Sequence, residues 1–229
     1  QSLCLHSTKD SYKICLIINL YVYGANFMKN KVIKFYEYKK KKRGVIMCKI
    51  LKDINGKTAL ELLNMYDIPL EPPIQLSKLL QRIGIATSGI NFSDIEQEAG
   101  YQYGQILGAA ISKGENLTIF YRKQDTENRQ RFTIAHELAH CCLHTGNLQQ
   151  NHIELREDTS LKSRKEMEAD IFAGELLIPE SSLVRVYNQF YLPSLESLAK
   201  IFSVSTNVMA ARLDYLSMPY FKDAEITYT

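Results

Sequence analysis

The chain has 229 residues, enough for one sizeable domain or two small ones. Hydrophobic (45%) and charged (23%) fractions are those of an ordinary globular protein, and no internal repeat, Gly-rich phosphate loop or membrane-spanning run is present. The net charge of +3 hides an asymmetry: residues 1–46 carry ten Lys/Arg against two Asp/Glu (+8), and the other 183 carry 18 against 23 (−5), a mildly acidic balance that gives no support to tight phosphate binding.

Residues 1–46 are rich in Lys, Ile, Asn, Tyr and Phe, and end in a basic run, Lys39 to Arg43, just before Met47. Those residues have AT-rich codons, and the basic run back-translates to a purine tract like a bacterial ribosome-binding site. The expectation is a start at Met47, with residues 1–46 a non-native or disordered basic extension. The apolar run 14–23 is too short to span a bilayer and lacks a small-x-small cleavage site. The basic run reads as a solvated tail rather than a nucleic-acid or membrane site. Five cysteines, at 4, 15, 48, 141 and 142, have no framework spacing, which suits a reducing cytosol.

From Met47 the pattern is orderly. Residues 58–64 predict a short helix that runs towards Tyr66, followed by a Pro-rich connection over 68–73. Residues 75–83 are amphipathic and helical, with Gly84 as the C-terminal stop. Residues 106–112 and 117–121 are apolar and β-branched, and 113–116 reads as a four-residue hairpin loop between two strands. A sheet edge can hold an extended peptide by main-chain hydrogen bonds, and strand 117–121 is taken as such an edge.

Residues 131–144 contain His136-Glu137-x-x-His140, a zinc-protease helix signature. Histidines four apart on a helix lie only ~40° apart round the axis and ~6 Å apart along it, so both can reach one ion. Glu137, beside the first of them, can take a proton from water held at that ion. Asp125 or Thr126 can cap the helix and Gly146 fits just past its end, which predicts a helix over about 127–145. Phe132, Ala135, Leu138, Ala139 and Leu143 recur at helical spacing, whereas His136 and His140 share a more polar stripe that can face a cleft. His144 extends that stripe. As a fourth protein ligand it would close the open position that catalysis needs, so it is not counted as a ligand. Cys141 and Cys142 read as small buried residues rather than zinc thiolates.

A catalytic zinc site usually has three protein ligands, and the candidates for the third lie downstream on a second helical pattern, about 164–178. Glu166 would supply the carboxylate, with Asp170 one turn on to accept the spare N–H of a ligand histidine and fix its tautomer. Glu168 is the reserve, but it lies ~200° round the helix from Glu166, so only one of the two can face the metal. Ser163-x-x-Glu166 also reads as a capping box, which would give Glu166 a purely structural role. The linker 147–164 is polar and without a sustained period; it could cover the cleft, and His152 within it reads as solvent-facing.

Residues 195–216 predict two helices joined by a turn near 203–205. A DNA-reading second helix would want basic residues, and only Arg212 is there, against Asp214, so core packing is preferred. Residues 217–229 read as an irregular tail.

The two metal blocks resemble the ImmA/IrrE family of metallopeptidases, within the HExxH-plus-Glu zincins. The matching stretches are 131–144, with its RFT-x-AHEL-x-H core, and 166–179, which reads E-x-E-A-D-x-F-A-x-E-L-L-x-P. Residues 195–216 match more loosely, and the resemblance spans roughly 47–216. Ala139 stands where many members have Gly, and Asp170 where many have Asn; both departures are mild. The resemblance implies an α+β fold: a helical, zincin-like core, with the HExxH helix and a second metal-ligand helix packed beside a small, mainly antiparallel sheet. It implies His136, His140 and Glu166 as ligands of Zn2+, Glu137 as the catalytic base and Asp170 as the partner of a ligand. It further implies a cytoplasmic endopeptidase acting on a separately encoded helix-turn-helix repressor of a mobile element or stress response, with no direct binding to nucleic acid or membrane. A non-proteolytic zinc-containing module that grips a repressor, or DNA, is the alternative; cleavage that depends on metal separates the two.

Overall fold

The computed structural model describes residues 48–144, 152–155 and 163–222. The basic extension 1–46, Gly146 and most of the linker 147–164 lie outside the described residues. Three short helices come first: α1 (Lys49–Ile54), α2 (Ala59–Met65) and α3 (Leu76–Ile83). A reciprocal capping box starts α2: the Thr58 hydroxyl accepts from Glu61 N, and the Glu61 carboxylate accepts from Thr58 N at 2.8 Å. Gly84, at φ 89°, takes the left-handed conformation that ends α3 and turns the chain directly into a strand.

That strand, β1 (Ile85–Ile90), is followed by α4 (Ser93–Ala99), β2 (Ile106–Lys113), β3 (Asn116–Arg122) and a short β4 (His152–Leu155). The sheet order is β1-β3-β2-β4, with β1 parallel to β3 and the other pairs antiparallel. The hairpin is tighter than its sequence implies. Lys113 pairs with Asn116, leaving a two-residue turn with Gly114 at φ 63°, as a glycine in the first central position of a type II′ turn requires.

The expectation that strand 117–121 is the edge is overturned, because β3 lies between β1 and β2. Both edge strands escaped sequence analysis. Residues 86–89 of β1, Ala-Thr-Ser-Gly, give no apolar run, and β4 sits inside a polar linker. Residues 152–155 pair with β2 instead of forming loop.

Successive residues of a strand face opposite sides of a sheet. Ala110, Leu117 and Ile119 face the main helical core. Ala109, Ile111 and Phe120 face a smaller cluster with Phe92 and Ile95 of the α4 segment. A buried ion pair fastens α4 to the sheet: the Arg122 guanidinium meets the Glu96 carboxylate, both at most 5% exposed. Glu96 also accepts from Ile106 N (2.7 Å) and Gly104 N (3.0 Å), and Arg122 donates to Ile106 O, so this charge is paired and hydrogen-bonded where β2 begins.

Two long helices, α5 (Glu127–Leu143) and α6 (Arg164–Leu177), pack against each other, and α5 lies against β2 and β3 of the sheet. Phe172, Leu176 and Leu177 of α6 are buried, and each such side chain contributes roughly 1.5–3 kcal/mol by leaving water. Then come α7 (Glu180–Tyr187), α8 (Leu195–Phe202) and α9 (Thr206–Tyr215). The turn between α8 and α9 is held by α5: Arg131 donates to Ser203 O and to Ile74 O, and Asn128 to Val204 O. Arg212, the single basic residue of α9, is buried; it donates to Ile178 O and lies 3.6 Å from Glu175. It serves the fold rather than a basic surface. The start of the tail is tied down, with Leu195 N donating to Phe221 O at 2.8 Å. Among the described residues no helix is long and apolar enough to cross a membrane.

Candidate metal centre

Helix α5 begins after Thr126, whose extended backbone marks the cap position, and has His144 at its C-terminal cap. Ala135, Leu138, Ala139 and Cys142 fill the core. The opposite stripe is buried too: His136 and His140 are 1% exposed and Glu137 fully buried, because α6 and the sheet close over it. Groups this polar stay inside only when hydrogen-bonded or charge-compensated.

Helix α6 supplies that compensation. His136 Nε2 lies 3.1 Å from Glu166 Oε2, His140 Nε2 lies 3.5 Å from Glu166 Oε1, and the two Nε2 atoms are 3.0 Å apart. Ligand atoms bound tetrahedrally at about 2.0–2.1 Å from a zinc ion would stand ~3.4 Å from one another. The triangle His136–His140–Glu166 therefore fits a small divalent ion in size, and two imidazoles with one carboxylate fit zinc in donor chemistry. The expected capping box is only half formed. The Glu166 backbone N–H donates to Ser163 Oγ at 3.3 Å while its carboxylate turns to the imidazoles.

Asp170, one turn beyond Glu166, places Oδ1 2.9 Å from His136 Nδ1. With Nε2 turned to the ligand triangle, Nδ1 carries the ring proton and donates to this carboxylate. Glu168 does not face the triangle. Its Oε2 lies 3.0 Å from His144 Nε2, and His144 stands behind His140, Nδ1 to Nδ1 at 3.1 Å.

Burial pushes the Glu137 carboxyl up to about 7, against the pull of the neighbouring imidazoles, and the Glu166 carboxylate adds to the rise. Glu166 moves the other way. Burial raises it, but hydrogen bonds from His136 and His140 outweigh that and hold the group well below the usual carboxylate range. Burial drives the Cys141 and Cys142 thiols upward, away from the thiolate form that binds zinc.

Sequence analysis missed Gly108. On β2 it faces α5 so closely that a Cβ there would stand 2.6 Å from Thr133 Cγ2 and 3.0 Å from Glu137 Oε1. A glycine inside a strand signals such an approach, and Gly108-Ala109-Ala110 was the available clue.

No curated protein matches the chain. The sequence profile of the Peptidase_M78 family, described as the IrrE N-terminal-like domain, matches residues 89–214. That span is more than half of the chain and takes in β2 to β4, both facing helices of the candidate centre, α8 and α9 up to residue 214. A triangle of two buried imidazoles and a half-buried carboxylate, inside a match of this extent, supports one conclusion: this chain belongs to the IrrE N-terminal-like family of metallopeptidases.

Proposed function

We propose that the chain is a zinc-dependent endopeptidase whose substrate is a separately encoded helix-turn-helix repressor, one that guards a mobile element or a stress response. The carrying observation is the approach of His136 Nε2, His140 Nε2 and a Glu166 oxygen to within 3.0–3.5 Å of one another, with Glu137 next in the chain to the first. His136, His140 and Glu166 would hold the metal, and Asp170 would orient His136. A zinc ion there would polarise the scissile carbonyl and bring the pKa of a water down to about 7. Glu137 takes the proton from the attacking water and returns it to the leaving amine.

With β3 inside the sheet, we place an extended peptide along β4, an edge strand that touches the metal helix. Residues 47–216 form the metallopeptidase domain, 1–46 lie outside it, and 217–229 form a tail. The protein acts in the cytoplasm, where the fold's thiols stay reduced and the repressor resides.

The test is to incubate the zinc-loaded chain with the repressor encoded beside it, with and without a chelator. A new repressor fragment should form only in the metal-replete reaction and be absent with Glu137→Gln. An intact repressor bound by the zinc-loaded chain would instead establish the non-proteolytic module.

A further inference from the structure

His140 differs from His136 in what stands behind it. His136 donates directly to a carboxylate, Asp170. Behind His140 is another imidazole. With His140 Nε2 in the ligand triangle, its Nδ1 carries the proton, so His144 Nδ1, 3.1 Å away, must accept. A neutral imidazole that accepts at Nδ1 carries its own proton on Nε2, and that atom faces Glu168 Oε2 at 3.0 Å. Arg164 Nε holds the other oxygen of Glu168 at 2.8 Å. One carboxylate thus specifies the tautomer of two rings in series. The arrangement also excludes His144 as a fourth ligand, because it meets His140 through the ring nitrogen that faces away from the triangle.

We propose that His144 and Glu168 are positioning residues for His140: a relay in which the Glu168 charge, passed through the His144 ring, holds His140 in orientation and strengthens Nε2 as a donor to the metal. The relay rests on the zinc reading above, but neither residue supplies an atom of the ligand triangle. Removing the partner of a metal-binding histidine typically weakens metal affinity about 10–100-fold. An imidazole inserted between ligand and carboxylate makes the effect of Glu168 conditional on His144.

Zinc affinity of the full chain, measured by competition with a chromogenic chelator, tests this, with the Co2+ absorption spectrum as a second readout of ligand geometry. His144→Leu should loosen zinc about 10–100-fold while one equivalent still binds. His144→Gln, which keeps one acceptor and one donor, should recover much of the loss. Glu168→Ala should loosen zinc in the wild-type background and add little to His144→Leu, because residues in one hydrogen-bonded chain are not additive. Wild-type affinity in His144→Leu, or equal losses from Glu168→Ala in both backgrounds, would overturn the relay while leaving the zinc reading intact. If His144→Leu fails to fold, Glu168→Ala decides alone, since that side chain is 40% exposed; unchanged affinity and an unchanged Co2+ spectrum would then overturn the proposal. A wild-type chain that takes up no zinc sinks the metal reading, and the relay with it.

Discussion

Gly108 on β2 and Glu137 on α5 are packed so closely that a methyl group on the glycine would come 3.0 Å from the glutamate's Oε1. The sheet and the HExxH helix are therefore set at a spacing only glycine allows, and the buried carboxylate has little room to turn. Gly108→Ala would relieve some unfolded-state entropy, worth about 0.4–1 kcal/mol, but overpacking a tight interior costs about 1–3 kcal/mol. The net expectation is a less stable protein with lower turnover. Urea unfolding and a peptidase assay on the same preparation check both.

Glu137→Gln should keep zinc and lose cleavage by about 10²–10⁴-fold, the usual contribution of a general base. Stability carries a second signature. The Glu137 carboxyl is raised in the fold from an ordinary 4.5 to about 7, so the folded state holds its proton more tightly than the unfolded chain does. That contribution is full below about 4.5 and is lost as the pH rises through about 7. Metal-free wild type should therefore lose stability relative to metal-free Glu137→Gln across that window. A constant difference between the two melting curves would contradict the burial-driven shift.

Asp170→Ala should weaken zinc binding about 10–100-fold, because it removes the carboxylate that accepts from His136 Nδ1. Asp170→Asn retains an acceptor and should stay nearer to wild type. Equal losses in the two variants, measured by chelator competition, would mean that charge rather than orientation matters at this position.

Away from the metal, Glu96→Ala should destabilise the fold by about 3–5 kcal/mol, since it strands the buried Arg122 guanidinium and two backbone donors, Gly104 N and Ile106 N. Chemical denaturation measures it. Glu96→Gln, which keeps one acceptor oxygen but removes the charge and turns an amide NH2 towards the other donor, should fall between Glu96→Ala and wild type.

Much of this protein was legible locally. The i, i+4 spacing of His136 and His140 follows from helical pitch alone, as does the placing of Asp170 one turn from Glu166. The Gly84 stop depends on neighbours within a few residues and stands where the sequence puts it; Thr58, read as the first residue of its helix, is instead its N-cap. Small residues hid β1, and β4 is only four residues within a polar linker; so short or so weakly apolar a strand is defined by its pairing partner more than by its own period. Tertiary structure decided the rest. The crossing of α5 and α6 turned Glu166 rather than Glu168 towards the imidazoles, and set His144 behind His140 instead of beside it. Sheet order placed β3 inside and β4 at the edge. Helical pitch and caps are properties of a few consecutive residues, whereas which carboxylate meets which ring depends on how separate elements pack, and no local pattern encodes that.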